Sequence, residues 1–155
     1  WSQVVILELS KSLLKGYWLN ILDKDFPFLV AVEHTNFIDK KHYSNKTIVY
    51  LGNYLNQEDK RLKMTEEQLV KLYLPYIKKI NPKFEANWIK RSWFFENPYA
   101  QPVFPVHYSK EIPKMKTDLP GLYIANMSMV YPWDRGTNYA VAVGQEAAKL
   151  IRNGK

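Results

Sequence analysis

Few side chains in this sequence have the type and spacing to do chemistry alone. The chain has no Cys, which excludes thiolate nucleophiles, thiolate metal sites and disulfides. Its three histidines, His34, His42 and His107, stand far apart. The one carboxylate beside a histidine, Glu33, falls on the opposite side of a strand from His34, so no metal-ligand spacing arises and no metal is expected. Serines occur without the Gly-x-Ser-x-Gly turn of a hydrolase nucleophile. Glu33, His34 and Asn36 could line a cleft at a strand end, or could be hydrogen-bonded structural groups, which is the simpler reading. Trp88, Trp93, Phe94, Phe95 and Tyr99 could form a stacking platform for a ring, or belong to a core. The catalytic residues stay unassigned.

One segment combines a pattern with a physical purpose. In GLYIANMSMVYPWDRGTNYAVAVGQEAAKLI, residues 121 to 151, a hydrophobic run leads through a polar turn into a helix. Gly136, Ala140, Gly144 and Ala148 recur every four positions and line one ridge, which lets another backbone approach closely. An interior Gly costs a helix roughly 1 kcal/mol against Ala, so Gly144 needs a reason. The turn Asp134, Arg135, Gly136, Thr137 and Asn138 places bare backbone where a helix N-terminus offers unpaired N–H groups and partial positive charge. That suits an anionic or electron-rich ligand. Equally, the helix could simply pack through its small ridge, with Asp134 or Thr137 as a cap.

The elements that must position these residues are read from periodicity. QVVILEL, YWLNIL, FLVAVEHTNF and TIVYLGNYL are β-branched and aromatic runs with short polar connections, which favours antiparallel neighbours. Thr65 with Gln68 forms a capping box, stapled by Met64 and Leu69. It opens a helix over about residues 65–80, whose apolar stripe runs through Leu69, Leu72, Tyr73, Tyr76, Ile77 and Ile80. Pro75 inside that stripe predicts a kink or an early end. EANWIKRSWFFEN reads as a strand, the five prolines from Pro98 to Pro120 as an extended path, and GLYIANM as a short buried strand. A last helix runs from about Thr137 to Arg152, closed by Asn153 and Gly154. The fold class is therefore α+β, an antiparallel or mixed sheet with packed helices.

Composition limits the functional classes. The 155 residues, 46% hydrophobic and 24% charged, can bury a real core and are not those of a disordered chain. No run reaches the roughly 18 apolar residues of a membrane span, and the N-terminal stretch has neither the basic head nor the cleavage site of a signal peptide. A cytoplasmic protein without a transmembrane segment is expected. The net charge of +7 is spread along the chain rather than gathered in a basic run, so nucleic acid is not an expected partner.

The segment from Pro120 to Ile151 resembles the C-terminal signature of the flavin-containing amine oxidase and protoporphyrinogen oxidase superfamily, where a strand ending in Leu-Tyr-x-Ala-Gly-Asp precedes a Gly-containing turn and a helix of small residues. YAQPVFPVHYSKEIP, residues 99 to 113, is similar to the proline-marked segment upstream of that signature. Met127 after the strand is comparable to UDP-galactopyranose mutases of the same flavoprotein fold. The resemblance is strong over residues 98 to 152 and general in layout before them. It implies FAD as cofactor, contacted from Asn126, Met127, Asp134, Arg135, Gly136, Thr137 and Asn138. The helix N-terminus would then face the pyrimidine side of the flavin, where reduction places negative charge.

Two departures shape what is expected. Asn126-Met127 stands where the family has Gly-Asp, so the carboxylate is missing and Asn126 could supply a replacement hydrogen bond. All six glycines are isolated, so the family's N-terminal Gly-x-Gly-x-x-Gly unit is absent. The expectation is the C-terminal part of a longer flavoprotein, with the start at Trp1 as a truncation. Residues 1–113 would be a substrate-domain-like sheet and residues 114–155 the last strand and helix of the FAD domain. The parent would move a hydride or electrons between a small-molecule substrate and flavin. The isolated chain would be inactive, and would self-associate through surfaces its other half covers. A flavin-dependent nucleotide-sugar mutase and a non-catalytic binding domain are the competing classes.

Overall fold

The computed structural model describes residues 1–154. They divide into two compact units, Trp1–Ala100 and a second beginning at Gln101.

The first unit is α+β. Strands β1 (Ser2–Leu9), β2 (Trp18–Asn20), β3 (Val30–Glu33), β4 (Thr47–Tyr54) and β5 (Ile89–Asn97) form one sheet in the order β2-β3-β4-β1-β5. Every pairing is antiparallel. Alternation along the strands sends Val5, Leu7 and Leu9 of β1, Ala31 of β3, and Val49 and Leu51 of β4 to one face, where they form the core with Leu69, Tyr73 and Ile77 of helix α1 (Glu66–Ile80).

Helix α1 starts at its predicted cap. The Gln68 N–H donates to Thr65 Oγ1 and the Thr65 N–H donates to Gln68 Oε1. Pro75 does not end the helix, which continues to Ile80. The reason is energetic: a helix-interior Pro costs about 3 kcal/mol, whereas burying Leu69, Tyr73 and Ile77 contributes about 1.5 to 3 kcal/mol apiece. Pro75 also stands on the exposed side, where water can take the carbonyl it leaves unpaired.

Two strand expectations were too long. Of YWLNIL the strand covers just Trp18–Asn20, flanked by backbone bonds from Glu33 to Tyr17 and from Ile21 to Leu29, and FLVAVEHTNF stays extended just to Glu33 before turning into a 3-10 helix at His34–Asn36.

The second unit holds helix α2 (Thr137–Asn153) and short 3-10 turns at Tyr108–Lys110 and Met127–Met129. The rings of Phe104, Tyr108 and Tyr131 cluster at centroid distances of 4.6 to 5.8 Å. Gly121–Met127 is not the buried strand predicted. It makes a single bridge, Lys116 to Tyr123, and Leu122 and Ile124 are exposed. β-propensity describes a residue that fits a pleated, half-buried surface; here the run folds back on 115–117 through a turn whose Gly121 has φ +80°, and no second strand flanks it among the described residues.

The ridge on α2 also departs from expectation. Ala140, Gly144 and Ala148 are exposed, and a Cβ on Gly144 would meet nothing within 4 Å. The helix turns Tyr139, Val143 and Ala147 inward instead.

Candidate functional site

Glu33, His34 and Asn36 come together, but as structural groups. Glu33 is 1% exposed, and its Oε2 accepts from the backbone amides of Leu13 and Leu14 at 2.8 and 2.6 Å. Asn36 donates from Nδ2 to the carbonyls of Leu14 and Gly16, and Asn81 donates to that of Leu13. These bonds hold the loop beside a hollow of about 740 Å³, lined by residues such as Leu14, Lys15, Trp18 and Pro82. Glu33, Asn36 and Asn81 thus each hydrogen-bond the backbone of that loop. His34 lies past the strand end, with Nε2 2.7 Å from the Tyr43 hydroxyl and its ring edge-on to Tyr50.

The residues expected at a flavin lie in the second unit. Asn126 caps the Met127–Met129 turn, its Oδ1 accepting from the Ser128 N–H at 2.9 Å and from Ser128 Oγ at 2.5 Å. That turn packs against α2. Asp134 accepts from the backbone N–H of Arg135 at 2.7 Å and from Gln101 Nε2 at 3.3 Å, so its carboxylate caps its own turn rather than the helix. Gly136 is the N-cap of α2, with φ −178° and ψ 155°, extended backbone open to any residue. Its smallness therefore reflects space and not conformation. A Cβ there would lie 2.5 Å from Asn138 Oδ1, a side-chain end that can move. No side chain caps α2 and no acidic residue stands in its first turn, while Thr137 and Asn138 in that turn are exposed. The N–H groups at this end carry partial positive charge with no side-chain partner capping them.

Sequence reasoning missed the open face of the first unit's sheet. Trp18, Val32, Tyr50, Ile6 and Trp93 fall in register across all five strands, and Asn20, Val30, Gly52, Val4 and Phe95 make the next row. Trp18, Trp93 and Phe95 are 55%, 38% and 58% exposed. The proposed aromatic platform therefore divides: Trp88 and Phe94 belong to the core, Trp93 and Phe95 to the open face, and Tyr99 lies beyond the strand. The period-two alternation of β5 was the signal for that division. Burial, with Tyr43 and Tyr17 nearby, pushes the Tyr50 hydroxyl above its ordinary pKa, so it stays a neutral donor.

No helix among the described residues is long and apolar enough to cross a membrane. Among them, too, no group of three or more His, Cys, Asp or Glu could hold a metal ion. Comparison with family models, with curated proteins and with solved structures finds no match for this chain.

Proposed function

We propose that the chain is the C-terminal part of an FAD-dependent oxidoreductase related to amine and protoporphyrinogen oxidases. In this reading flavin supplies the hydride or electron transfer, and the chain supplies position and electrostatics. One observation carries it: a continuous surface that begins at the uncapped N-terminus of α2 and runs along the exposed small residues Ala140, Gly144 and Ala148. The uncapped end suits the charge of a reduced flavin, and the bare ridge suits a closely approaching backbone from the rest of a longer protein. Asn126 stands where the family has a carboxylate, and its amide would orient the cofactor by hydrogen bonding once released from Ser128.

The test uses the complete gene product. Expected is a yellow protein with flavin absorption bands, whose melting temperature rises with FAD. Gly136→Leu, which the extended backbone tolerates, should erase most of that rise by blocking cofactor approach. A colourless complete protein, or a Gly136→Leu variant with the full FAD-dependent shift, would overturn the reading.

A further inference from the structure

The open sheet face carries two hollows of different character. The first, about 300 Å³, is lined by residues including Trp18, Leu29, Val30 and Tyr54, with Gly52 in its wall. A Cβ on Gly52 would lie 2.9 Å from Val30 Cγ1, so this strand position is closed to larger residues while Val30 keeps its place, as expected where a sheet Gly marks a close approach. The second, about 350 Å³, is lined by Glu8, Tyr43, Ser44, Lys46, Ile48 and Arg91. Its charges do not balance. The Glu8 carboxylate faces Lys46 Nζ at 3.5 Å, while the exposed Arg91, opposite Glu8 in register, makes no ion pair among the described residues. One carboxylate against two cations leaves a net positive charge. A guanidinium presents the planar fork that matches carboxylate or phosphate oxygens.

The two hollows lie on one face, because Gly52 and Ile48 are four residues apart on β4 and side chains repeat with period two. That separation is about 13 Å along the strand, and Tyr50, with Ile6 and Val32 beside it, paves the way between. A contiguous exposed apolar patch of this kind is the sort of surface that marks an interaction or ligand-binding site.

We propose that this face binds an amphipathic organic anion, with its apolar body in the hollow beside Gly52 and across Tyr50, and its carboxylate or phosphate head at Lys46 and Arg91. The naming of this ligand as a substrate rests on the flavoprotein reading; the binding itself needs no flavin.

The experiment titrates the 155-residue chain with 1-pyrenebutyrate and with its uncharged counterpart 1-pyrenebutanol, following tryptophan quenching in about 0.15 M salt. The carboxylate should bind about tenfold more tightly. Arg91→Gln, an exposed change that keeps the fold, should abolish that preference, and Trp18→Ala should weaken both probes. Equal affinity for the two probes, an intact preference in Arg91→Gln, or unchanged binding in Trp18→Ala overturns the proposal. So does binding to phosphatidylglycerol vesicles without binding of monomeric pyrenebutyrate, which would make the face a membrane-docking surface. A colourless complete protein that still prefers the carboxylate loses the flavin and keeps this site; a yellow one without the preference does the reverse.

Discussion

The carboxylate of Glu33 sits beneath the backbone amide of Leu14, 2.6 Å away, and takes the amide of Leu13 at 2.8 Å through the same oxygen. Both bonds are buried and charge-assisted, and they tie the end of β3 to a loop about twenty residues earlier. Glu33→Ala should leave two buried amides unpaired and cost about 2 to 3 kcal/mol in urea unfolding. Glu33→Gln keeps an acceptor oxygen and should cost less. A change in ligand binding without loss of stability would show instead that the carboxylate serves a site.

Asp59 and Arg61 give the chain an acid-sensitive brace. Arg61 Nε and Nη2 donate to the Asp59 carboxylate at 2.8 and 2.6 Å, and Nη1 donates to the Pro27 carbonyl at 2.8 Å. The guanidinium holds the Asp59 pKa at about 2, down from the ordinary 3.8. A lowered carboxyl pKa stabilises the fold above the unfolded value, and the contribution is lost as pH falls from 3.8 through about 2. Asp59→Asn should therefore destabilise by on the order of 1 kcal/mol at neutral pH, since the pair is partly solvated. The difference from wild type should vanish near pH 2, which parallel unfolding curves at both pH values would reveal.

Pro75 stands on the exposed side of α1, inside an otherwise regular helix. Pro75→Ala should restore the missing N–H, better the helix propensity and raise stability by about 1 to 3 kcal/mol. A fall in melting temperature would mean that the ring itself makes a stabilising contact.

Gly144 separates two environments. In the 155-residue chain, Gly144→Ala should be stabilising by up to about 1 kcal/mol, because a Cβ there meets nothing. In the longer flavoprotein proposed above, Gly144→Leu should cost about 1 to 3 kcal/mol by overpacking, with or without FAD. Thermal melts of both proteins decide it: tolerance of Leu in the complete protein would mean that the ridge stays bare there too.

Much of this fold could be read from residue order, and the exceptions have physical causes. Thr65, Gln68 and the spacing of Leu69, Tyr73 and Ile77 set α1 locally, so they were legible. Pro75 misled because a local penalty was weighed without the burial that exceeds it. Leu122 and Ile124 looked like strand residues because side chains advertise a preference for a sheet without showing whether a neighbouring strand exists. The open face was hidden for the converse reason. Trp18, Tyr50 and Trp93 come from three separate strands and become neighbours only through the order β2-β3-β4-β1-β5. The residues from Asn126 to Asn138 expected at a flavin were picked out by resemblance to a motif, and Gly144 by its spacing; neither follows from the contacts within this fold, where Gly144 meets nothing.

The interior position of β1, between β4 and β5, sets a timetable for synthesis. This strand emerges from the ribosome before both of its neighbours, β4 by about 40 residues and β5 by about 80, at roughly 5 to 20 residues per second. Its Val-Val-Ile-Leu run therefore waits on the order of 4 to 16 s before β5 can close over the second edge. Both of its backbone edges stay unpaired until β4 emerges, and one of them for the rest of that interval, open to any other extended chain. Chaperone capture of the nascent chain should thus peak before Asn97 clears the exit tunnel and fall once it has.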